Sequence, residues 1–145
     1  MDVKKVFEDA AGELGYNFAY GTRPFINYEA TLKDMKENQY SIFVFPPTEN
    51  DEYNNKIVPS RTRYTVTFQI ATKFEKTTTS SLDETYYQKH ERRLLTLRTL
   101  CRAFAKKIFC ENNVMPVSAR YSPEINVYAT TVDAYNCEVV FNDVS

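Results

Sequence analysis

The residues of this sequence to consider first for chemistry are the single histidine and the acidic pairs Asp51/Glu52 and Asp83/Glu84. A catalytic or metal-binding His90 would need partners, and no second histidine or cysteine stands at ligand spacing on its helical face. The pairs Asp51/Glu52 and Asp83/Glu84 fall in a polar segment and at a predicted helix start, where solvated or helix-capping carboxylates are expected. The patterns HExxH, GxSxG, GxGxxG and the P-loop do not occur. We therefore interpret His90 as a satisfied, half-buried histidine and expect no enzyme, no metal and no cofactor.

The three cysteines do not provide the framework of a disulfide-stapled fold. Cys101 and Cys110 are nine positions apart, which places them on roughly opposite sides of an α-helix. Cys137 belongs to a predicted strand. An odd number of cysteines without a CxxC pattern favours reduced, buried thiols in a reducing compartment.

Length and composition bound the class of protein. The 145 residues suffice for one domain with a hydrophobic core, and 43% hydrophobic with 26% charged residues is typical of a soluble globular protein. The net charge of −1 gives no general attraction to nucleic acid or to an anionic membrane. The N-terminus has no apolar signal core, and no later apolar run approaches the length of a membrane span. We expect a protein that is made or assembled inside cells and has no membrane partner.

The strongest structural signal is a long amphipathic helix predicted over residues 81–112. Apolar side chains recur there at alternating steps of three and four, which places them on one stripe of a helix. Ser81 and Glu84 fit a capping box at its start, while Asn112, Asn113 and the nearby Pro116 provide the stop. The stripe consists of Tyr87, His90, Leu94, Leu97, Cys101, Phe104 and Ile108.

The same helix is strongly basic, since seven lysines and arginines lie between positions 89 and 107 against Glu91 alone. The remainder of the chain must therefore be acidic. The simplest interpretation is a solvated helix face. A second is a basic ridge that pairs with an acidic surface, which in a homo-oligomer is the protein's own Glu49, Asp51 and Glu52. A nucleic-acid groove is the third, although exposed aromatics interleaved with the charges are missing.

Shorter elements are predicted in the first half of the chain. A helix is predicted over residues 2–14, ending at Gly15, and is followed by an extended segment at 16–20. The continuous apolar run YSIFVF at 40–45 predicts a buried strand. Residues 46–60 lack any hydrophobic period and are predicted as a long polar loop, a feature that in compact domains is usually functional or disordered.

The second half contributes further strands and sets the fold class. Clean two-residue alternation predicts a strand within 57–74, with one face on the core and the other toward solvent or a neighbour. Residues 75–81 are predicted as a linker into the long helix. Two last strands are predicted at 125–128 and 135–141, with the turn near 133–134. This order predicts a single α+β domain, an antiparallel sheet with the long helix and the short N-terminal helix packed on one face.

The order of these elements resembles the tail terminator and head-to-tail joining (neck) proteins of long-tailed bacteriophages and prophages. The features that carry the resemblance are the N-terminal helix, the strand YSIFVFPP with its polar loop, the alternating strand RTRYTVTFQIATKFE, the linker into the long helix and the closing hairpin INVYATTVDAYNCEVVF. The resemblance covers nearly the whole chain and is one of order and pattern, not of a signature motif. The opening MDVKKVFEDAAGELGYNFAYG also resembles the start of small proteins encoded among phage structural genes.

The resemblance implies a subunit of a ring, commonly hexameric, that caps the tail tube and presents a surface to the head connector. The implied partners are other copies of the chain, the tail tube protein and a head-completion or connector protein, with DNA passing through the lumen. The implied location is the virion, and the host cytoplasm during assembly. The alternatives are another portal-to-tail adaptor ring and a small nucleic-acid-binding protein that uses the basic face of helix 81–112.

Ring subunits use heterologous interfaces, so each subunit needs two different and complementary patches. The basic helix and the acidic loop are one candidate pair. The Thr/Gln face of the strand within 57–74, if that strand lies at an edge, is a candidate for sheet extension between subunits. The predicted interface residues are Glu49, Asp51, Glu52, Tyr53, Arg63, Arg92, Arg93, Arg98 and Arg102.

Overall fold

A computed structural model describes residues 1–22, 35–36, 39–54, 57, 60–73, 86–125 and 132–143, and for 86 and 87 the backbone alone. Within these ranges the chain forms a mixed α/β fold of two helices and a six-stranded sheet. The helices are α1 (Val3–Leu14) and α2 (Tyr86–Glu111). The strands are β1 (Asn17–Tyr20), β2 (Tyr40–Val44), β3 (Thr48–Glu52), β4 (Arg61–Lys73), β5 (Val114–Glu124) and β6 (Val132–Asp143).

The two helices agree with the sequence prediction over the residues described. Asp2 caps α1, because its carboxylate accepts a hydrogen bond from the Lys5 backbone N–H at 3.1 Å. Gly15 ends α1 in the left-handed conformation, with φ of 73°, which a residue without Cβ adopts without strain. Helix α2 confirms most of the predicted span 81–112. The predicted capping box and the linker 75–81 lie outside the described residues.

The sheet is mixed, which corrects the prediction of an antiparallel sheet. Its strands run in the order β1-β2-β4-β6-β5, and β3 also pairs with β4. All described pairs are antiparallel except β1 with β2, which run parallel. The chain between these two strands, residues 21–39, has the length that a parallel connection requires. Strand β4 has partners on both sides, so the predicted sheet extension through its Thr/Gln face at an edge is wrong.

Two strands occupy segments where the sequence predicted none. Strand β3 lies inside the predicted loop 46–60 and pairs with the first residues of β4, from Arg61 to Thr65. Its residues are almost all exposed, and so it lacks the apolar alternation by which strands are recognised. Strand β5 is also largely exposed, and for the same reason its sequence shows no apolar alternation that predicts a strand.

The predicted strand at 135–141 is confirmed as part of β6, whereas the turn predicted before it is not. Ile125 forms a bend after β5, and residues 126–128 of the predicted strand lie outside the described part of the chain. The predicted turn near 133–134 is wrong, because Asp133 and Ala134 pair with Thr72 and Ala71 inside β6 and β4.

The main core lies between the sheet and the two helices. The Phe104 ring on α2 lies 5.1 Å from the Phe68 ring and 5.7 Å from the Phe7 ring, so aromatic packing joins both helices to the central strand. The predicted apolar stripe of α2 is confirmed from residue 90 onward in its central residues. His90, Leu97, Cys101, Phe104 and Ile108 are buried, whereas Leu94 is only partly so.

The opposite face of the sheet is also buried at its centre. Phe43, Ala71 and Ala134 are fully enclosed there and belong to a second, smaller cluster. Beside them the buried Gln69 amide donates to the Asn136 side-chain oxygen at 2.8 Å, which satisfies a polar group on an otherwise enclosed surface. The odd-numbered face of β4 is therefore only partly the solvent-facing surface that its alternation suggested.

Candidate interaction surfaces

The single histidine is part of a buried charged cluster that connects α2 to β6. His90 Nδ1 lies 2.6 Å from Asp133 Oδ2, and the Arg93 Nε–H donates to the same oxygen at 2.9 Å. The side chains of His90 and Asp133 are 2% and 0% exposed. The contact with Asp133 accounts for Nδ1 alone, so the prediction of a satisfied, half-buried histidine holds in part, and the ring is fully rather than half buried.

This cluster has a structural consequence for the predicted interface. Arg93 was expected on an external ridge, yet its guanidinium points inward to a carboxylate that is fully enclosed. Asp133 is the second residue of β6, and His90 and Arg93 are one helical turn apart near the start of α2. The cluster therefore anchors the first turns of the long helix to the sheet.

The acidic residues predicted to contact a neighbour are partly engaged within the chain. Glu52 forms ion pairs with Arg61 and, at 3.6 Å, with Arg63, so two predicted interface residues contact each other. The Asp51 carboxylate accepts a hydrogen bond from the Thr62 hydroxyl at 2.7 Å. These contacts stabilise the hairpin of β3 and β4. Glu49 lies exposed within β3, and Tyr53, just after this strand, has 56% of its surface accessible.

The basic residues of α2 divide among different directions instead of forming one ridge. Arg98, Arg102 and Lys106 follow one another at four-residue steps, which on a helix places them in one row. We call this set the basic row. The Arg102 guanidinium stacks over the Tyr121 ring of β5, 5.4 Å from its centroid, so the row lies on the side of α2 that faces the β5 edge. Arg102 and Lys106 are exposed and Arg98 is half-buried, whereas the exposed Arg92 lies outside this row.

The basic row carries little compensating charge from its own chain. Across the described residues, none of the salt bridges involves Arg98, Arg102 or Lys106. Leu95 lies on the same side of the helix and is 53% exposed, although leucine is usually buried. The row therefore combines positive charge with an apolar contact point.

A groove of opposite charge lies between α1 and the end of α2. Lys107 connects the two helices, since its ammonium pairs with Glu13 on α1 and, at 2.8 Å, with Glu111 on α2. Hydrogen bonds to Glu111 and Glu13 raise the pKa of Lys107 above its ordinary value. The groove has a volume of about 420 Å³. We call it the acidic groove after its four carboxylates; it is lined by Asp2, Asp9, Glu13 and Glu111 together with Lys5, Val6, Ala10 and Asn112.

The two charged surfaces belong to opposite sides of the fold. Helix α1 packs over β1 and β2, at one end of the strand order, whereas Arg102 reaches β5 at the other end. The interface residues predicted from the sequence include Arg98 and Arg102, but neither Lys106 nor the residues of the acidic groove. The four-residue spacing was the available signal for Lys106. No pattern in the sequence indicated the acidic groove, because its carboxylates come from two helices that are distant in sequence.

The outer strands of the sheet are unlike each other. Strand β5 carries Pro116 and Pro123 and a register shift next to Pro116, features that limit strand pairing at an edge. Strand β1 has only four residues. Strand β5 is therefore less suited to pairing with a strand of a neighbouring molecule than to contact through the side chains above it.

Comparison with known proteins adds no family assignment. No protein-family model matches the chain, and a search of curated proteins finds no significant match. Neither helix of the described ranges is both long and apolar enough to cross a membrane. Among the residues that the structure covers, no three histidine, cysteine, aspartate or glutamate side chains are grouped so as to hold a metal ion.

Proposed function

We propose that this chain is a virion assembly protein: a ring-forming tail terminator or neck subunit that caps the tail tube and joins it to the head connector. One observation carries the proposal beyond the resemblance in element order. The chain bears a basic row and an acidic groove on opposite sides of one rigid layer of helices. Two unlike, complementary surfaces are what a heterologous interface needs, and such interfaces close into rings when the rotation between copies permits.

The rest of the structure is compatible with such a scaffold. The two helices and the sheet share one continuous apolar core, which holds the two surfaces at a fixed separation. The buried cluster of His90, Arg93 and Asp133 fixes α2, on which the basic row stands. In this proposal the partners are other copies of the chain, the tail tube protein and a connector protein, and DNA passes through the lumen of the ring.

Native mass spectrometry of the purified protein, combined with negative-stain imaging, tests this function. We expect a closed ring, hexameric if the resemblance holds, with a mass that is a whole multiple of 16.9 kDa. Capping is tested separately by adding the ring to polymerising tail tube protein, where tubes of limited length are expected. A protein that stays monomeric both alone and with tube protein would contradict the proposal, and rings that do not bind tubes would favour another adaptor ring of the neck.

A small nucleic-acid-binding protein is the second candidate, because the basic row is a line of cations. Successive members of the row are separated by about 6 Å along the helix axis, a spacing that phosphate groups can match. Binding of the protein to duplex DNA that weakens steeply with salt would support this candidate. DNA affinity that is unchanged by Arg98→Glu/Arg102→Glu would exclude the row as its site.

A further inference from the structure

We infer that the basic row of one copy docks into the acidic groove of a second copy of the same chain. The inference rests on the proposed ring and names the surfaces that join its subunits. It replaces the pairing suggested by the sequence, in which Arg93 and Glu52 took part. Arg93 points inward to the enclosed Asp133, and Glu52 is shared between Arg61 and Arg63 inside the hairpin of β3 and β4.

Charge complementarity is the first argument. The acidic groove contains four carboxylates, and the ammonium groups beside it are those of Lys5 and Lys107. Counted over the described residues, the groove therefore keeps a negative excess even with its own lysines in place. Within the described chain the basic row takes part in none of the salt bridges, although Arg98 is half-buried and Arg102 lies over the Tyr121 ring, so no described carboxylate compensates its three positive charges.

Shape and apolar content are the second argument. The row stands on the convex side of a helix, and the groove is a concave channel beside α1. The row spans about 12 Å from its first to its last residue, and the lining residues of α1 span about 16 Å. Val6 and Ala10 give the groove an apolar floor, while Leu95 projects beside the row, so burial of apolar surface accompanies the charge pairs.

The placement of the two surfaces on opposite sides of the fold makes the contact heterologous. Each copy donates its row to one neighbour and receives a row from the other, so no copy can satisfy both surfaces in a two-fold dimer of this kind. Assembly then continues from copy to copy, and it ends in a ring when the rotation between copies closes, as the proposed function requires.

Carbodiimide cross-linking tests the contact, since this reagent joins a lysine to a carboxylate that pairs with it. An equal mixture of ¹⁴N-labelled and ¹⁵N-labelled protein distinguishes links between copies from links within one copy. We expect mixed-isotope links from Lys106 to Asp9 or Glu13, lost at high salt. Links from Lys106 confined to single chains, or none to the groove, would overturn the inference.

Charge reversal supplies the second readout by sedimentation velocity. Arg98→Glu/Arg102→Glu places carboxylates against carboxylates and should weaken self-association on the order of 100-fold or more. Arg120→Glu is the matched control for either of these two reversals made alone. Arg120 is an exposed arginine on β5, where it pairs in register with Glu138 on the sheet face away from α2. The control should leave association unchanged.

The outcomes separate this inference from the proposed function. Rings that persist in Arg98→Glu/Arg102→Glu would leave the ring function intact and refute the surfaces named here. Mixed-isotope links to the groove in a protein that forms open chains would support the surfaces and refute ring closure. A monomeric wild type whose DNA binding is abolished by the same double reversal would refute both and assign the row to nucleic acid.

Discussion

Replacing Asp133 by asparagine should remove the charge that holds the start of α2 on β6. The substitution keeps the shape of the side chain, yet leaves His90 and the Arg93 guanidinium beside a neutral amide in a site where Asp133 was 0% exposed. Breaking a buried ion pair by removing one partner costs about 3–5 kcal/mol. Because the Arg93 side chain is 16% exposed and can partly return to water, we expect a loss near the lower end, about 3 kcal/mol.

Urea denaturation followed by circular dichroism measures this loss. With a denaturant slope of about 2 kcal/mol per molar for a domain of this size, the midpoint should fall by about 1.5 M. All variants must be compared at one protein concentration, since self-association adds to apparent stability.

Glu8→Gln is the matched control, because it makes the same carboxylate-to-amide change on the exposed surface of α1. It should alter the free energy of unfolding by less than about 0.5 kcal/mol. A loss for Asp133→Asn no larger than that of this control would refute the view that the cluster anchors α2.

Three further predictions concern the core, a helix end and a buried thiol. Phe104→Ala should lower the free energy of unfolding by about 3–5 kcal/mol, measured by urea denaturation, because this fully buried ring packs on both α1 and β4; a loss below that range would contradict the packing. Gly15→Ala should lower the free energy of unfolding by about 1 kcal/mol, because the backbone φ of Gly15 is 73°. Gly12→Ala, a substitution inside α1, should not lower it. Burial raises the pKa of Cys101 from 9.0 to about 12, so the unfolded chain loses this proton first and stability falls as pH rises between those values. Cys101→Val should therefore lose less stability than wild type over this range, by about 1.4 kcal/mol per pH unit, and equal slopes would contradict the prediction.

Elements with a strong apolar pattern were predictable from the sequence. The stripe that includes Leu97 and Phe104 predicted α2, and the alternation around Phe68 predicted β4, since burial on one face imposes the period of the element. Strands β3 and β5 were not predictable in this way. Most of their side chains remain in solvent, so nothing selects apolar residues at alternate positions.

The candidate surfaces were predictable only in part. The excess of basic residues on α2 was visible in the sequence, but which of them point outward depended on a partner forty positions away, as Arg93 and Asp133 show. Glu52 was likewise assigned to an interface because its ion pair with Arg61 depends on the unpredicted strand β3. Long-range pairing of charges leaves no local pattern, and this is why the groove was missed.

The most direct test of the account is native mass spectrometry of two charge-reversed proteins, first alone and then mixed. Arg98→Glu/Arg102→Glu makes both surfaces acidic, and Asp9→Lys/Glu13→Lys makes both surfaces basic. Each protein alone should remain monomeric, while an equimolar mixture should form closed rings in which the two kinds of subunit alternate in equal number. A mixture that stays monomeric while wild type forms rings, or single variants that form rings unaided, would contradict the claim that these two surfaces join the subunits.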